Sequence, residues 1–264
     1  MTRPALYDTH CHLHTEVFDK DRDDVIARAL NHGVRRVLAV AEDLDDAWRL
    51  LDVADRWADF VVPAIGIHPD RAPLISDGEV AEVELLIRRH RARLGAIGEV
   101  GLDHRPRWDD AARARQAEVL RHMVRLGNEL DLPLSVHSRG AGRHVLDLLA
   151  DASCQSAVLH AFDGRAVHGE RGAAAGWSFS VPPSVVRSRQ KQKLVPRLPV
   201  GALLLESDAP VLGPQARARN EPANVALALS EMARLRGEDE SGLTGVVEQN
   251  TRRRFPRLVP PVSR

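Results

Sequence analysis

Eight short β-type runs, each followed by an amphipathic helical stretch, predict an α/β chain folded as a (β/α)8 TIM barrel. Regular strand–helix alternation calls for a parallel sheet with helical crossovers. Eight such units in 264 residues match the size of the barrel. The ionisable residues also cluster at the carboxyl ends of the runs, where this fold gathers its chemistry. An open doubly wound sheet is the alternative, but the first strand–helix turn has no glycine-rich phosphate loop. No repeat, low-complexity tract or linker interrupts the pattern, so residues 1–264 read as one domain.

Each element has its own signal. Ala5 to Leu13 reads as the first strand. Asp21 to His32 is helical, with Val25, Ala29 and His32 at helical spacing and Gly33 to stop it. Val34 to Val40 is an apolar strand, Leu44 to Trp57 a helix, and Phe60 to Ile67 a strand ending in Gly66-Ile67-His68-Pro69. A helix from Glu79 to Arg93 precedes the strand Ala96 to Leu102, which carries Gly98-Glu99-Val100-Gly101-Leu102-Asp103. Asp110 to Leu130 is the longest helix. Pro133 to Val136 is a strand leading into His137-Ser138-Arg139, and Gly142 to Ala150 is helical. The strand Ala157 to Leu159 ends at His160. Arg165 to Gly176 is weakly helical, and Trp177 to Val181 is a strand broken by Pro182-Pro183. Ser188 to Leu198 is helical, and Gly201 to Leu205 is the last strand, ending at Glu206-Ser207-Asp208-Ala209-Pro210. Helices from Pro222 to Arg236 and from Gly242 to Arg254 close the chain.

Composition narrows the function classes. Lys plus Arg and Asp plus Glu number 37 each, so no global charge draws the chain to nucleic acid or membrane. No window reaches the ~18 apolar residues of a membrane span. The N-terminus carries no secretory signal, and Cys11 and Cys154 make no disulfide framework. A monomeric cytoplasmic protein is expected.

The first strand holds Asp8-Thr9-His10-Cys11-His12. Alternation puts Asp8, His10 and His12 on one face and Cys11 on the other. Neutral imidazole is a common ligand for divalent metals. Later strand ends add His68, Glu99, Asp103, His137, His160, Glu206 and Asp208. Bland readings compete at each: a turn role for His68, a surface acid at Glu99, core histidines at His137 and His160, a helix cap at Asp208. Gathered around one mouth, however, these groups are costly without a metal. A zinc site takes about three or four ligands, and here there are enough for two ions. Glu99, midway along the chain, is the natural bridge. Ions about 3.5–4 Å apart would hold a water between them and lower its pKa.

Taken together, the motifs resemble the TatD family of metal-dependent deoxyribonucleases. The opening DxHxH resembles Asp8 to His12, GxHP resembles Gly66 to Pro69, and GExGLD is Gly98 to Asp103. PxxxHxR is Pro133 to Arg139, HxF is His160 to Phe162, and E[TS]D[SA]P is Glu206 to Pro210. RNEP is Arg219 to Pro222, and NxxRxF resembles Asn250 to Phe255. His137 to Arg143, His160 to Gly164, Phe179 to Ser184 and Gln190 to Leu194 are similar to the subgroup of TatD DNase domain-containing protein 3. Two features depart from the pattern: Ser207 stands where threonine is commoner, and the loop 104–109 is short.

The resemblance implies a barrel of the metal-dependent hydrolase, amidohydrolase-like type. It implies two divalent ions (Zn, Mn or Mg), and the histidines favour Zn or Mn. His10, His12, Glu99 and Asp208 would hold one ion, and Glu99, His137 and His160 the other. His68 would touch the scissile phosphate, and Asp208 would act on the nucleophilic water, so Asp208, Glu99 and His68 are the expected catalytic residues. Arg139, Glu206 and Asn220 would meet substrate. Asp8, by contrast, is read as orienting a ligand histidine, with Asp103 also behind the ligands. The expected activity is phosphodiester hydrolysis of DNA by a hydroxide activated between two metals. Neutral net charge favours strand ends or single strands over long duplex, hence an exonuclease. The rival is a hydrolase of a C–N or C–O bond in a small molecule or aminoacyl ester on the same barrel. A non-catalytic binding module would need a broken metal set.

Overall fold

The computed structural model describes residues 5–259. Its strands are β1 (Leu6–Cys11), β2 (Val34–Val40), β3 (Val61–Ile65), β4 (Ala96–Gly101), β5 (Leu134–His137), β6 (Ala157–Leu159), β7 (Ser178–Val181) and β8 (Leu203–Leu205). They pair in chain order, each parallel to the next. The helices between and after them are α1 (Arg22–Asn31), α2 (Leu44–Arg56), α3 (Asp77–His90), α4 (Asp110–Leu130), α5 (Gly142–Asp151), α6 (Ala166–Ala174), α7 (Arg189–Leu194), α8 (Val225–Arg236) and α9 (Glu240–Arg254). This is the predicted eightfold barrel.

Strand alternation sorts the core into two layers. Val37 and Ala39 of β2 and Val61 and Ile65 of β3 face the helices. Their neighbours Leu38, Val40, Val62 and Ala64 point inward, where Tyr7, Val158 and Leu204 join them. Phe255 and Leu258, past α9, pack into this inner layer. One end of the barrel is thereby filled with apolar side chains, and the polar groups occupy the other.

The seam between β8 and β1 is made by residues just beyond the short β8. His12 N donates to Ala209 O at 2.7 Å and Asp208 N to His10 O at 2.8 Å. Thr9 Oγ1 donates to Leu205 O at 2.8 Å. Ser207 N and Oγ donate to the Asp8 carboxylate at 2.8 and 2.5 Å. These bonds draw the first and last motifs of the chain together.

Most boundaries shift for visible reasons. The first strand stops at Cys11, so His12 lies just past it. A capping box between Ser76 and Glu79 starts α3 at Asp77. The helix expected over Ser188 to Leu198 is helical only to Leu194, because Pro196 can donate no backbone hydrogen bond, and a 3-10 turn follows. The last strand begins at Leu203, after a 3-10 turn over Val200–Ala202.

Candidate metal centre

Glu99 sits in β4 between two glycines that bring β4 against its neighbour. A Cβ on Gly98 would come within 2.7 Å of Ser135 Cβ. One on Gly101, at φ +146°, would come within 2.2 Å of His137 O. Glycine therefore lets β4 approach β5 closely enough for Glu99 to reach His137.

The two oxygens of Glu99 serve different histidines. Oε2 lies 3.5 Å from both His10 Nε2 and His12 Nε2. Asp208 Oδ1 lies 3.7 Å from the same two nitrogens. On the other side, Oε1 lies 2.8 Å from His137 Nδ1, 2.9 Å from His160 Nε2 and 3.5 Å from His68 Nε2. All six predicted ligands thus converge, together with His68, in a buried cluster at the carboxyl ends of the strands. Donors within 4.8 Å of one another form the sets His10, His12, Glu99 and His68, Glu99, His137, and also His10, His160, Glu206.

These residues suit a metal. Two ligands ~2.1 Å from one tetrahedral ion stand ~3.4 Å apart, close to the spacing around Glu99 Oε2. His10 Nε2 is buried with no hydrogen-bond partner among the described residues. Burial holds His10, His12, His68 and His160 down at about 4, which keeps their imidazoles neutral. Burial alone would raise Glu99, but His68, His160 and His10 around it hold its carboxyl well below the usual range. Asp208 is pushed well above its usual range by burial, then by the carboxylates of Glu206 and Glu99. His137 runs the other way: burial would lower it, but its bonds to Asp103 and Glu99 push it up to about 9.

The ligand rings have fixed supports. His137 Nε2 lies 3.3 Å from Asp103 Oδ2, on the far side of the ring from Glu99. His10 Nδ1 lies 2.9 Å from Ser135 Oγ. Asp8 does not orient a ring. Its carboxylate accepts from the His10 backbone N–H at 3.2 Å and from Ser207, so it positions the seam that carries both His10 and Asp208.

Two residues expected to meet substrate are turned inward. Glu206 is fully buried, with Ala161 N donating to Oε1 at 2.7 Å and Ser180 Oγ to Oε2 at 2.5 Å. It lies behind His160, its Oε2 3.8 Å from His160 Nδ1, rather than at the rim. Asn220 is buried as well. Its amide donates to Ser207 O at 2.7 Å and Val211 O at 2.8 Å, fastening the loop after β8. Arg139, by contrast, is exposed and walls a cavity of about 260 Å3 beside His137, His160 and Asp208.

Sequence reasoning missed Ser135, Glu42 and Lys191. Ser135 precedes His137 by two, so strand parity already put it on the same face. Glu42 follows β2 just as the chosen acids follow theirs, and burial, then Glu99, pushes it up to about 7. Lys191 lines the cavity and donates from Nζ to Ala161 O at 2.9 Å. Nothing in its spacing within α7 signals this. The short loop 104–109 folds back on the mouth, where Trp108 Nε1 donates to Asp70 Oδ1 at 3.0 Å and Arg105 pairs with Asp70 and Asp103.

Comparison with known proteins shows the family. The family model described as TatD related DNase matches residues 7–256. The human protein named deoxyribonuclease TATDN3 is 39% identical over 264 residues, covering 96% of this chain and 96% of that protein. A Cronobacter sakazakii protein named 3'-5' ssDNA/RNA exonuclease TatD is 32% identical over 267 residues, covering 97% of this chain and 100% of the relative. The crystal structure of the TatD homologue YJJV from Escherichia coli superposes with a TM-score of 0.89 at 27% identity, covering 95% of this chain and 98% of the other.

Proposed function

The chain belongs to the TatD-related DNase family, and from that premise we propose that it hydrolyses phosphodiester bonds of DNA with two divalent metal ions, acting on single strands or strand ends. The observation that carries the proposal is the division of Glu99: one oxygen faces His10 and His12, the other His137, His160 and His68. A carboxylate so flanked suits two cations sharing it.

When bound, two such ions (Zn, Mn or Mg) would lower the pKa of a coordinated water and offset charge on the phosphoryl group. The protein's residues do the rest. His10, His12, Glu99 and Asp208 would hold one ion, and Glu99, His137 and His160 the other. His68 Nε2, pointing into the same cluster, contacts the scissile phosphate. Asp208, when ionised, takes the proton of the attacking water. The new P–O bond forms as the bond to the leaving strand breaks, and the leaving oxygen takes its proton from solvent. Arg139, at the open side, balances phosphate charge.

Preference for strand ends is supported by the cavity of about 260 Å3 beside deeply buried donors and by the equal count of 37 cationic and 37 anionic residues. Long duplex is gripped through many phosphates by a broad basic face. On this reading the enzyme is an exonuclease, built as one domain over residues 1–264 and working as a monomer. A cytoplasmic location is favoured by its two unpaired, buried thiols, Cys11 and Cys154. No helix among the described residues is long and apolar enough to cross a membrane.

Digestion of single- and double-stranded DNA, labelled at the 3' or the 5' end, with added Zn, Mn or Mg tests the proposal. Stepwise release of nucleotides from one end is expected. Cleavage of closed circular DNA as fast as of linear strands overturns the exonuclease assignment.

A further inference from the structure

Two cavities meet on one flank of the mouth. The inner one, beside His137, His160 and Asp208, is walled by Arg139, Arg187 and Lys191. The outer one, of about 390 Å3, lies under the loop after β8, among Val17, Val211 and Arg217. Arg187 and Leu212 border both. That shared ridge is pinned: Ser184 N donates to Leu212 O at 2.8 Å, and Arg187 Nε to Gly213 O at 3.1 Å. The two cavities therefore form one trough leading away from Glu99.

Charge separates this flank from the rest of the rim. Elsewhere on the rim Arg105 and Arg107 pair with Asp70, Arg71 with Asp43 and Arg49 with Asp19, and within the outer cavity Arg219 pairs with Asp21. Along the trough, Arg139, Arg187 and Arg217 have no carboxylate in ion-pair reach among the described residues, and Arg217 makes no hydrogen bond with them. In a chain with no net charge, unmatched guanidinium groups along one path mark a place for an anion. Val17 and Val211, each 51% exposed, lie among them. Apolar surface interleaved with cations suits a single strand, whose bases need a face to rest on and whose phosphates need charge.

We propose that the outer cavity is a binding shelf for the part of a single-stranded nucleic acid that lies beyond the scissile bond. The nucleotide at the metals lies against Arg139 and Lys191, and the strand then crosses Arg187 onto Val17, Val211 and Arg217. The inference rests on the phosphodiesterase reading and adds to it the flank on which the strand lies and a dependence on strand length.

The test compares kcat/KM for a dinucleotide and a single-stranded hexanucleotide, with Mn-loaded protein and its Arg217→Glu variant. The shelf requires the hexanucleotide-to-dinucleotide ratio to fall about tenfold in the variant, and the salt slope for the hexanucleotide to shrink by about 0.7, one phosphate contact. Arg217→Ala, which removes charge without reversing it, should move the ratio the same way by a smaller factor. An unchanged ratio in both variants, or an equal loss on both substrates, overturns the shelf while leaving the phosphodiesterase reading standing. Wild-type protein that cleaves neither substrate overturns that reading instead.

Discussion

Asp103 Oδ2 lies 3.3 Å from His137 Nε2, across the imidazole from Glu99, whose Oε1 is 2.8 Å from Nδ1. The ring is held at both nitrogens. Asp103 is itself held, by Arg105 Nε at 2.8 Å and by Gln116, which accepts from its backbone N–H at 3.0 Å. A carboxylate behind a ligand histidine fixes its tautomer and raises its basicity. Asp103→Asn keeps the shape and removes the charge. Metal affinity or kcat should fall about 10–100-fold, read by metal titration and steady-state rates, with the thermal midpoint of the metal-free protein nearly unchanged.

The approach of β4 to β5 depends on Gly101. Alanine there meets His137 O and must adopt a φ of +146°. Gly101→Ala should cost more than about 1 kcal/mol of stability, measured by urea unfolding of the metal-free protein. Metal binding should weaken as well, because the clash falls on the backbone that carries a ligand. Wild-type stability with full metal loading would show that β4 and β5 tolerate a wider gap.

Metal loading should release protons. His137 is pushed up to about 9, so without metal it carries a proton at neutral pH, and Nδ1 must lose that proton before binding an ion. Burial, then the carboxylates of Glu206 and Glu99, raise Asp208 above its usual range, which favours its protonated form. Both groups act with the same sign, so apparent metal affinity should rise with pH from 6 to 8. Calorimetric titration at pH 7 in buffers of different ionisation enthalpy should show about one to two protons released per loaded chain. A heat independent of buffer would contradict the assignment.

Ser207 links the ends of the barrel. Ser207→Ala removes a donor from the buried Asp8 carboxyl, which burial pushes up to about 7. The expected cost is about 1–3 kcal/mol. Because the same seam carries His10 and Asp208, kcat should fall too. Ser207→Thr keeps the hydroxyl and should retain activity.

The fold and the convergence of the candidate ligands were legible in the sequence because both follow the strand–helix pattern. Short apolar runs between helical stretches marked the strands, and strand ends marked His10, His68, Glu99, His137, His160 and Asp208. Glu42 obeys the same rule, following β2 directly. Glu206 and Asn220 were read as substrate contacts because they stand in motifs at the mouth. Which way a side chain turns depends on partners distant in the chain, such as Ala161 and Ser180 for Glu206. The early end of α7 depends on Pro196 and was readable in principle. The pairing of Arg105 with Asp70, across 35 residues, was not.

The most direct test of the shared role of Glu99 is elemental analysis of the purified wild-type protein and of Glu99→Ala, prepared alongside each other. Two ions per chain in the wild type, and loss of both in the variant together with DNA cleavage, is the predicted result. A variant that keeps one full equivalent of metal and still cleaves DNA would contradict the bridging of two ions by this carboxylate.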